Sequence, residues 1–131
     1  MPKKCAWCKE PCQEVILGEF TFRGTTFHAD FCSLDHVEET RQFLKFAETH
    51  LLHFFFGLIV PGILGIILVA SNLSSLGVFT IFAGIGITSI IFPFATSQTN
   101  DLLGFRKAII LVRLLGIIII GLGILFGIKM S

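Results

Sequence analysis

The chain has 131 residues, of which 53% are hydrophobic and 15% charged, and its mean hydropathy is +0.85. A soluble domain of this size usually carries about 25% charged residues, so the composition argues against one ordinary soluble domain. The charges are concentrated, because residues 1–50 hold fourteen of the nineteen Lys, Arg, Asp and Glu residues. We therefore predict a polar head over residues 1–50 and a membrane region over residues 51–131.

The head is slightly acidic, with six basic and eight acidic residues. Nucleic-acid-binding modules carry a basic surface, so no nucleic-acid partner is expected. A head of this length is too short to bury a large core, and domains this small usually need a metal ion, disulfides or a partner.

All cysteines lie in the head, and two of them form the pair Cys5-x-x-Cys8. Cys32 and His36 form a second pair with a spacing of four residues. The start of the chain lacks the apolar core of a secretory signal, so the thiols are expected to be reduced metal ligands rather than disulfides. Zinc takes four thiolate or imidazole ligands in a tetrahedron. The sequence therefore predicts one Zn²⁺ bound by Cys5, Cys8, Cys32 and His36.

A β-hairpin is predicted between the two pairs. Phe20 and Phe22 alternate with polar residues, and Phe27, Ala29 and Phe31 alternate again after a turn at Arg23-Gly24-Thr25. The apolar residues of both strands share one face.

A helix is predicted to follow the hairpin, with Ser33 as its N-cap and Asp35 in its first turn. Cys32 and His36 then lie at the helix start, facing the Cys5/Cys8 turn, and the helix packs on the hairpin through Leu34, Val37 and Phe43. A Cys-x-x-Cys turn, a hairpin and a helix with two ligands form a treble clef. The predicted fold is thus a small α+β zinc treble clef followed by an all-α bundle of three transmembrane helices.

The motifs of the head resemble the TRASH/YHS group of metal-binding treble clefs. The resemblance rests on Cys5-x-x-Cys8, on the aromatic hairpin and on Phe31-Cys32-Ser33-x-x-His36, and it covers about residues 5–46. The last ligand in that group is commonly Cys, whereas this chain has His36. The group is linked to heavy-metal sensing and trafficking and also to structural zinc, so the resemblance implies the fold more strongly than the function.

Other candidate ligands remain open. Cys12 follows Cys8 by four residues, and His28 lies on the second strand with a parity that points it away from Phe27. Each is either an exposed or packing residue or an alternative ligand. His50 and His53 form a further pair that fits interfacial polar residues better than ligands.

Three apolar segments follow, at about residues 51–70, 76–95 and 108–128, each about 20 residues and long enough to cross a bilayer as a helix. Burial inside a soluble protein is the alternative, and a head this small cannot cover three such helices. Pro61 is expected to kink the first. Gly123-x-x-x-Gly127 fits either packing within one bundle or self-association.

Topology follows from the basic residues. The 71–75 connection has none, whereas the 96–107 connection has Arg106 and Lys107. The head and the second connection are thus predicted to be cytoplasmic. Helical periodicity runs from Ser33 through His50 into the first segment, which predicts one long helix holding the head at a fixed height; a break near Thr49–His50 is the alternative.

These features predict an integral membrane protein of the cell membrane whose cytoplasmic zinc module acts as a non-enzymatic adaptor or accessory subunit. Its expected partners are the lipid bilayer and a membrane protein or a second copy. The alternative is a metal-sensing or metal-trafficking protein that hands an ion to a partner. An enzyme is not expected, because four protein ligands leave no position for a catalytic water.

Overall fold

The computed structural model describes residues 3–129, apart from the side chain of Ser97, so the outermost residues of the predicted head and membrane region lie outside it. Along the chain the elements are β1 (Ile16–Phe22), β2 (Thr25–Phe31), α1 (Leu34–Ala70), α2 (Ser74–Ile91), α3 (Ser97–Leu103) and α4 (Phe105–Lys129). A two-stranded antiparallel hairpin followed by helices agrees with the predicted order. Helices α1, α2 and α4 are long and apolar enough to cross a membrane, as expected for a membrane protein.

The chain forms two compact units. The head unit contains the described residues up to His50 together with Ala95–Ile110. The helix unit contains Leu51–Phe94 and the described residues from Leu111 onward. The unit boundaries therefore fall within α1 and within α4. The stretch 95–110 belonged to the membrane region in the sequence prediction and lies with the head in the structure.

The hairpin of the head unit has the predicted apolar face, and its turn consists of Arg23 and Gly24, whereas Thr25, also predicted in the turn, pairs with Phe22 as the first residue of β2. Arg23 and Gly24 both have positive φ, 51° and 80°, which is the conformation of a two-residue turn matched to the twist of a hairpin. Phe20 pairs directly with Phe27, so both rings lie on one face and stack at 5.6 Å between centroids. Phe31 on the same face is fully buried and contacts the edge of Phe20. Phe20 and Phe31 belong to the core of the head, and Phe27 packs against it.

Helix α1 begins as the sequence predicts. The Ser33 hydroxyl accepts a hydrogen bond from the backbone N–H of His36 at 3.3 Å, which caps the first turn. Val37 is buried in the core and Phe43 packs against it. Leu34 was also expected to face the hairpin, but its side chain is 71% exposed, so that prediction is wrong. Leu34 occupies the first position of α1, and its side chain points away from the hairpin, whereas the side chain of Val37 is buried against it.

Helix α1 continues without interruption through His50, as the single-helix prediction requires. The Nδ1 atom of His50 donates to the carbonyl of Phe46 at 3.0 Å, one turn earlier, and the two rings stack. The alternative, a break near Thr49–His50, is not seen in this described helix. The fixed height of the head remains a prediction.

The helix ends at Ala70 in a compact C-cap. Asn72 adopts a positive φ of 63°, its N–H donates to the Val69 carbonyl, and the Leu73 N–H donates to the Leu68 carbonyl. This pair of bonds is the Schellman pattern, and asparagine tolerates the left-handed conformation that it needs. Only three residues therefore separate α1 from α2, which starts at Ser74, and they form the expected tight connection.

Helix α2 ends at Ile91, four residues before the end of the second predicted segment. Pro93 accounts for the difference, because a proline disfavours helical conformation at the residue before it, here Phe92. Phe92 has φ −115° and ψ 79°, outside the helical region. The apolar composition of residues 92–95 had extended the predicted segment beyond the helix.

Glycines set the packing of the helix unit. A Cβ added to Gly77 would lie 2.6 Å from the carbonyl oxygen of Gly65, and one added to Gly86 would lie 2.6 Å from that of Gly116. Helix α2 thus approaches α1 at one glycine pair and α4 at another, as small residues permit in membrane helices. Gly123 faces Phe82 of α2. At least part of the Gly123-x-x-x-Gly127 motif therefore serves packing between helices of the same chain.

A proline inside α1 is compensated by a hydroxyl from α2. Pro61 has no N–H, so the Gly57 carbonyl loses its normal helical donor. The Thr88 hydroxyl donates to this carbonyl at 2.8 Å, and Thr88 is almost fully buried. The Pro61 ring lies against Gly84 of the same helix α2. The proline thus fixes how α1 and α2 pair.

The connection between α2 and α4 contains a short helix that was not predicted. In α3 the Thr96 side chain accepts from the Thr99 N–H, and Gly104 ends the helix with φ 80°. Helix α4 starts directly afterwards at Phe105, three residues before the third predicted segment.

Candidate metal centre

The first two candidate ligands lie on a tight loop, here called the knuckle, formed by residues 4–11. The Lys9 N–H donates to the Cys5 carbonyl at 2.9 Å, and the Cys5 N–H donates to the Glu10 carbonyl at 3.0 Å. Lys4 and Pro11 form a bridge that closes the base of the loop. The reversal needs the positive φ of Lys9, 63°. Cys5 and Cys8 are both buried.

The second pair of ligands lies at the junction of β2 and α1. Cys32 follows the last residue of β2, and His36 lies in the first turn of α1. The backbone N–H of Ala6 donates to the Asp30 carbonyl at 2.8 Å, which ties the knuckle to the end of β2. This bond brings the two ligand pairs together across the head.

Four donor atoms converge at this junction. The sulfur atoms of Cys5, Cys8 and Cys32 and one ring nitrogen of His36 all lie within 4.8 Å of one another. The sulfurs of Cys8 and Cys32 are 3.8 Å apart. The Nδ1 atom of His36 lies 3.6 Å from the Cys5 sulfur and 3.1 Å from the Cys32 sulfur.

These separations are close to the edges of a zinc coordination tetrahedron. With Zn–S bonds of about 2.3 Å and Zn–N bonds of about 2.0–2.1 Å, sulfurs lie about 3.8 Å apart, and sulfur and nitrogen about 3.5 Å apart. The Cys8–Cys32 and Cys5–His36 distances match these edges, and the Cys32–His36 distance is shorter by about 0.4 Å. The four predicted ligands thus lie close enough to hold one metal ion, and the donor set is compatible with zinc.

The thiols of the cluster differ in acidity. Burial by itself raises the pKa of the Cys5 thiol, but hydrogen bonds from the backbone N–H groups of Cys8, Cys32 and Trp7 outweigh burial and lower the pKa to about 6. Burial, followed by hydrogen bonding to the sulfurs of Cys5 and Cys8, raises the pKa of Cys32 to about 12. The Cys5 thiol is therefore more acidic than the Cys32 thiol.

The alternative ligands fall outside the group of four. His28 is exposed and pairs with Glu19 on the face of the hairpin opposite to the aromatic rings, as its parity predicts. Cys12 is half-buried and packs against the core that contains Cys5 and Cys8. Burial and the negative charge on Cys5 raise the pKa of Cys12. Cys12 is therefore a fourth thiol, next to the cluster of three thiols and one imidazole.

The knuckle has neighbours that the sequence did not predict. The N–H groups of Phe105 and Arg106 donate to the carbonyls of Ala6 and Trp7, at 3.2 and 3.1 Å. The Trp7 ring stacks on Phe105, with centroids 6.4 Å apart. The sequence did carry a local signal, since Thr96 and Gly104 fit the two caps of a short helix. The long-range pairing of Trp7 with Phe105 has no local signal.

Comparison of the chain with known protein families, with curated proteins and with solved structures finds no match. Chemically, three sulfurs and one imidazole favour a soft or borderline divalent ion such as Zn²⁺ over hard, oxygen-seeking ions.

Proposed function

We propose that this chain is a membrane-anchored zinc protein whose head serves as a non-enzymatic adaptor or accessory subunit. The observation that carries the proposal is the convergence of Cys5, Cys8, Cys32 and His36 at distances that fit a tetrahedral ion. One Zn²⁺ bound there would hold the knuckle, the hairpin and α1 together as a treble clef, the fold that the resemblance to the TRASH/YHS group implies.

The small size of the head supports a structural role for the metal. Its core consists of a few aromatic and aliphatic side chains around the two buried cysteines of the knuckle. In modules of this size, metal binding and folding are a single event. The metal would therefore contribute much of the stability that a larger core provides elsewhere.

The ligand count supports an adaptor rather than an enzyme. Catalytic zinc sites keep one position for water or substrate, whereas four protein ligands fill a tetrahedron. The membrane helices and the predicted cytoplasmic side of the head suit a module that presents its surface to another membrane protein or to a second copy.

Metal content tests the site. The full-length protein, purified in detergent without added chelator, is expected to carry one zinc per chain by inductively coupled plasma mass spectrometry. Cys8→Ser and Cys32→Ser should each reduce this content to below about a tenth. Cys12→Ser and His28→Ala are the matched controls and should retain one zinc. Full zinc content in both ligand variants would refute the assignment.

Topology is tested separately. The head and the 96–107 connection are expected on the cytoplasmic side, because Arg106 and Lys107 lie there and the 71–75 connection has no basic residue. A membrane-impermeant thiol reagent applied to intact cells should label a cysteine introduced at Asn72 and not one introduced at Gln98. The opposite labelling pattern would show that the membrane topology is the reverse of the one predicted.

A second function, metal sensing or trafficking, is supported by one observation. The fourth thiol, Cys12, packs beside the cluster and could receive the ion during transfer to another ligand set. Ligand exchange through a neighbouring thiol predicts that Cys12→Ser slows zinc transfer to a chelator while leaving the zinc content unchanged. Equal transfer rates in the two proteins would favour the structural role.

A further inference from the structure

The start of α4 is capped by the knuckle. The first N–H groups of a helix have no acceptor within the helix and need partners elsewhere. At α4 the N–H groups of Phe105 and Arg106 find the carbonyls of Ala6 and Trp7. These two carbonyls belong to the two residues between the candidate ligands Cys5 and Cys8.

A steric contact accompanies the hydrogen bonds. Gly104, the residue before α4, has a φ of 80°, and a Cβ at this position would lie 2.7 Å from the Trp7 carbonyl oxygen. Only glycine fits this conformation and this distance without strain. The knuckle and residues 104–106 are therefore in direct backbone contact, and we call this contact the clasp.

Aromatic side chains pack beside the clasp. Phe105 stacks on Trp7 and contacts the edge of Phe43 of α1, with centroids 6.4 and 6.0 Å apart. Ala108, one turn further along α4, is fully buried. The first turn of α4 thus packs into the same core as the candidate metal ligands.

We propose that metal occupancy of the cluster controls the start of α4 through the clasp. A metal bound by Cys5 and Cys8 fixes the loop between them and holds the Ala6 and Trp7 carbonyls where α4 needs acceptors. Loss of the metal frees the loop and removes these acceptors, so the first turn of α4 and the preceding α3 are released. The inference rests on the proposed metal site and adds its regulation: the connection between α2 and α4 responds to the metal ion.

Amide hydrogen exchange measured by NMR on the full-length protein in lipid nanodiscs tests the proposal. Zinc-loaded protein is compared with protein treated with a strong chelator. The N–H groups of Phe105 and Arg106 are expected to exchange at least tenfold faster after chelation. The Gly116 N–H, which lies in the middle of α4, is the internal control and should change little.

Gly104→Ala separates the clasp from the metal site. This variant keeps all four ligands and is expected to bind one zinc, yet its Phe105 and Arg106 N–H groups should exchange rapidly with or without zinc. Phe105→Leu is a milder second variant that keeps the backbone bonds. It should retain the response to chelation, with a changed emission of Trp7, the only tryptophan of the chain.

The outcomes distinguish the two proposals. One zinc per chain combined with unchanged exchange at Phe105 and Arg106 after chelation overturns the clasp and leaves the metal site intact. Absence of zinc binding overturns both. A zinc-dependent slowing of exchange at these two groups that Gly104→Ala abolishes establishes the clasp.

Discussion

Each of the two units is stabilised internally by a different kind of interaction. In the head unit, buried cysteines and aromatic rings surround a cluster of ligand atoms, and Cys5 and Phe31 are fully buried. In the helix unit, close backbone approach at glycine pairs such as Gly86 and Gly116 dominates the packing. Thr88 supplies a hydrogen bond between two helices of that unit.

Each arrangement compensates for a small contribution of the hydrophobic effect to stability. The head has too few residues to bury much apolar surface. Helices in a bilayer gain little from burying apolar side chains, because lipid tails are equally apolar, so tight packing and hydrogen bonds must hold them. The head should therefore be sensitive to chelators and acid, and the helix unit to added methyl groups and lost hydroxyls.

Chelation should produce the largest difference between the responses of the two units. Removing zinc is expected to abolish protection of the β1–β2 amides, because structural zinc contributes on the order of 10 kcal/mol to such modules. Amides in α2 should stay protected, since no metal ligand lies there. Hydrogen exchange with mass spectrometry reports both regions in one sample. Protected hairpin amides in the chelated protein would show that the head folds without metal.

Acid should weaken zinc binding. The pKa of Cys32, raised to about 12, leaves this thiol protonated at neutral pH, so zinc must displace its proton. The Cys5 thiol, with a pKa of about 6, is largely ionised above pH 7 and joins the proton release only in more acidic solution. Release of the Cys32 proton alone should lower the zinc affinity about tenfold per pH unit, or about 2.7 kcal/mol from pH 8 to pH 6, and any proton released from another ligand adds to this slope.

Competition with a fluorescent chelator of known proton affinity, at fixed ionic strength, measures this slope. The slope should steepen near pH 6, where Cys5 begins to be protonated. An affinity independent of pH would mean that no proton is displaced and would contradict thiolate coordination by Cys32.

Added methyl groups should disturb the helix unit. A Cβ at Gly116 would lie 2.7 Å from the Gly86 carbonyl oxygen, which belongs to rigid helix backbone. Gly116→Ala is therefore expected to lower the free energy of unfolding by about 1–3 kcal/mol, as overpacking does in cores. Steric trapping in bicelles can measure this difference.

Gly121→Ala in the same helix is the matched control. Apart from the adjoining backbone of α4, no atom of the described residues lies within 4 Å of the added Cβ, so this change should be neutral or stabilise the helix by up to about 1 kcal/mol. Equal effects of the two substitutions would show that α2 and α4 do not approach closely at Gly116.

A smaller loss is expected at Thr88. Thr88→Val removes the hydroxyl that donates to the Gly57 carbonyl and should cost roughly 1 kcal/mol. Pro61→Ala restores the N–H that this carbonyl normally receives within the helix. A double-mutant cycle should therefore show a smaller loss for Thr88→Val when Pro61 is replaced. An identical loss in both backgrounds would mean that the hydroxyl does not replace the missing helical bond.

The sequence predicted features that depend on local patterns. The alternation of phenylalanines gave the hairpin, the Ser33 cap gave the start of α1, and the cysteine spacing gave the ligand set that the structure brings together. Each of these depends on residues close together in the chain, where periodicity and capping rules apply.

Features that depend on distant residues were not predictable. The boundary drawn near His50 put the polar 96–107 connection in the membrane region, whereas residues 95–110 belong to the head unit, where Phe105 stacks on Trp7. The exposure of Leu34 follows from the direction of one side chain at the first helical position, which periodicity does not fix. The role of Thr88 as donor to Gly57 requires knowing which helices are neighbours.

The hydroxyl bridge between α1 and α2 also bears on biosynthesis. Emerging alone into a bilayer, α1 would expose the Gly57 carbonyl to hydrocarbon without a donor, because Pro61 cannot supply one. The donor, Thr88, is synthesised 31 residues later, beyond the tight connection at 71–75. Insertion of α1 and α2 as a pair avoids this unpaired state, so the translocation machinery should retain α1 until α2 is complete. Crosslinking of stalled nascent chains should show α1 leaving the machinery later in the native chain than in a Pro61→Ala chain.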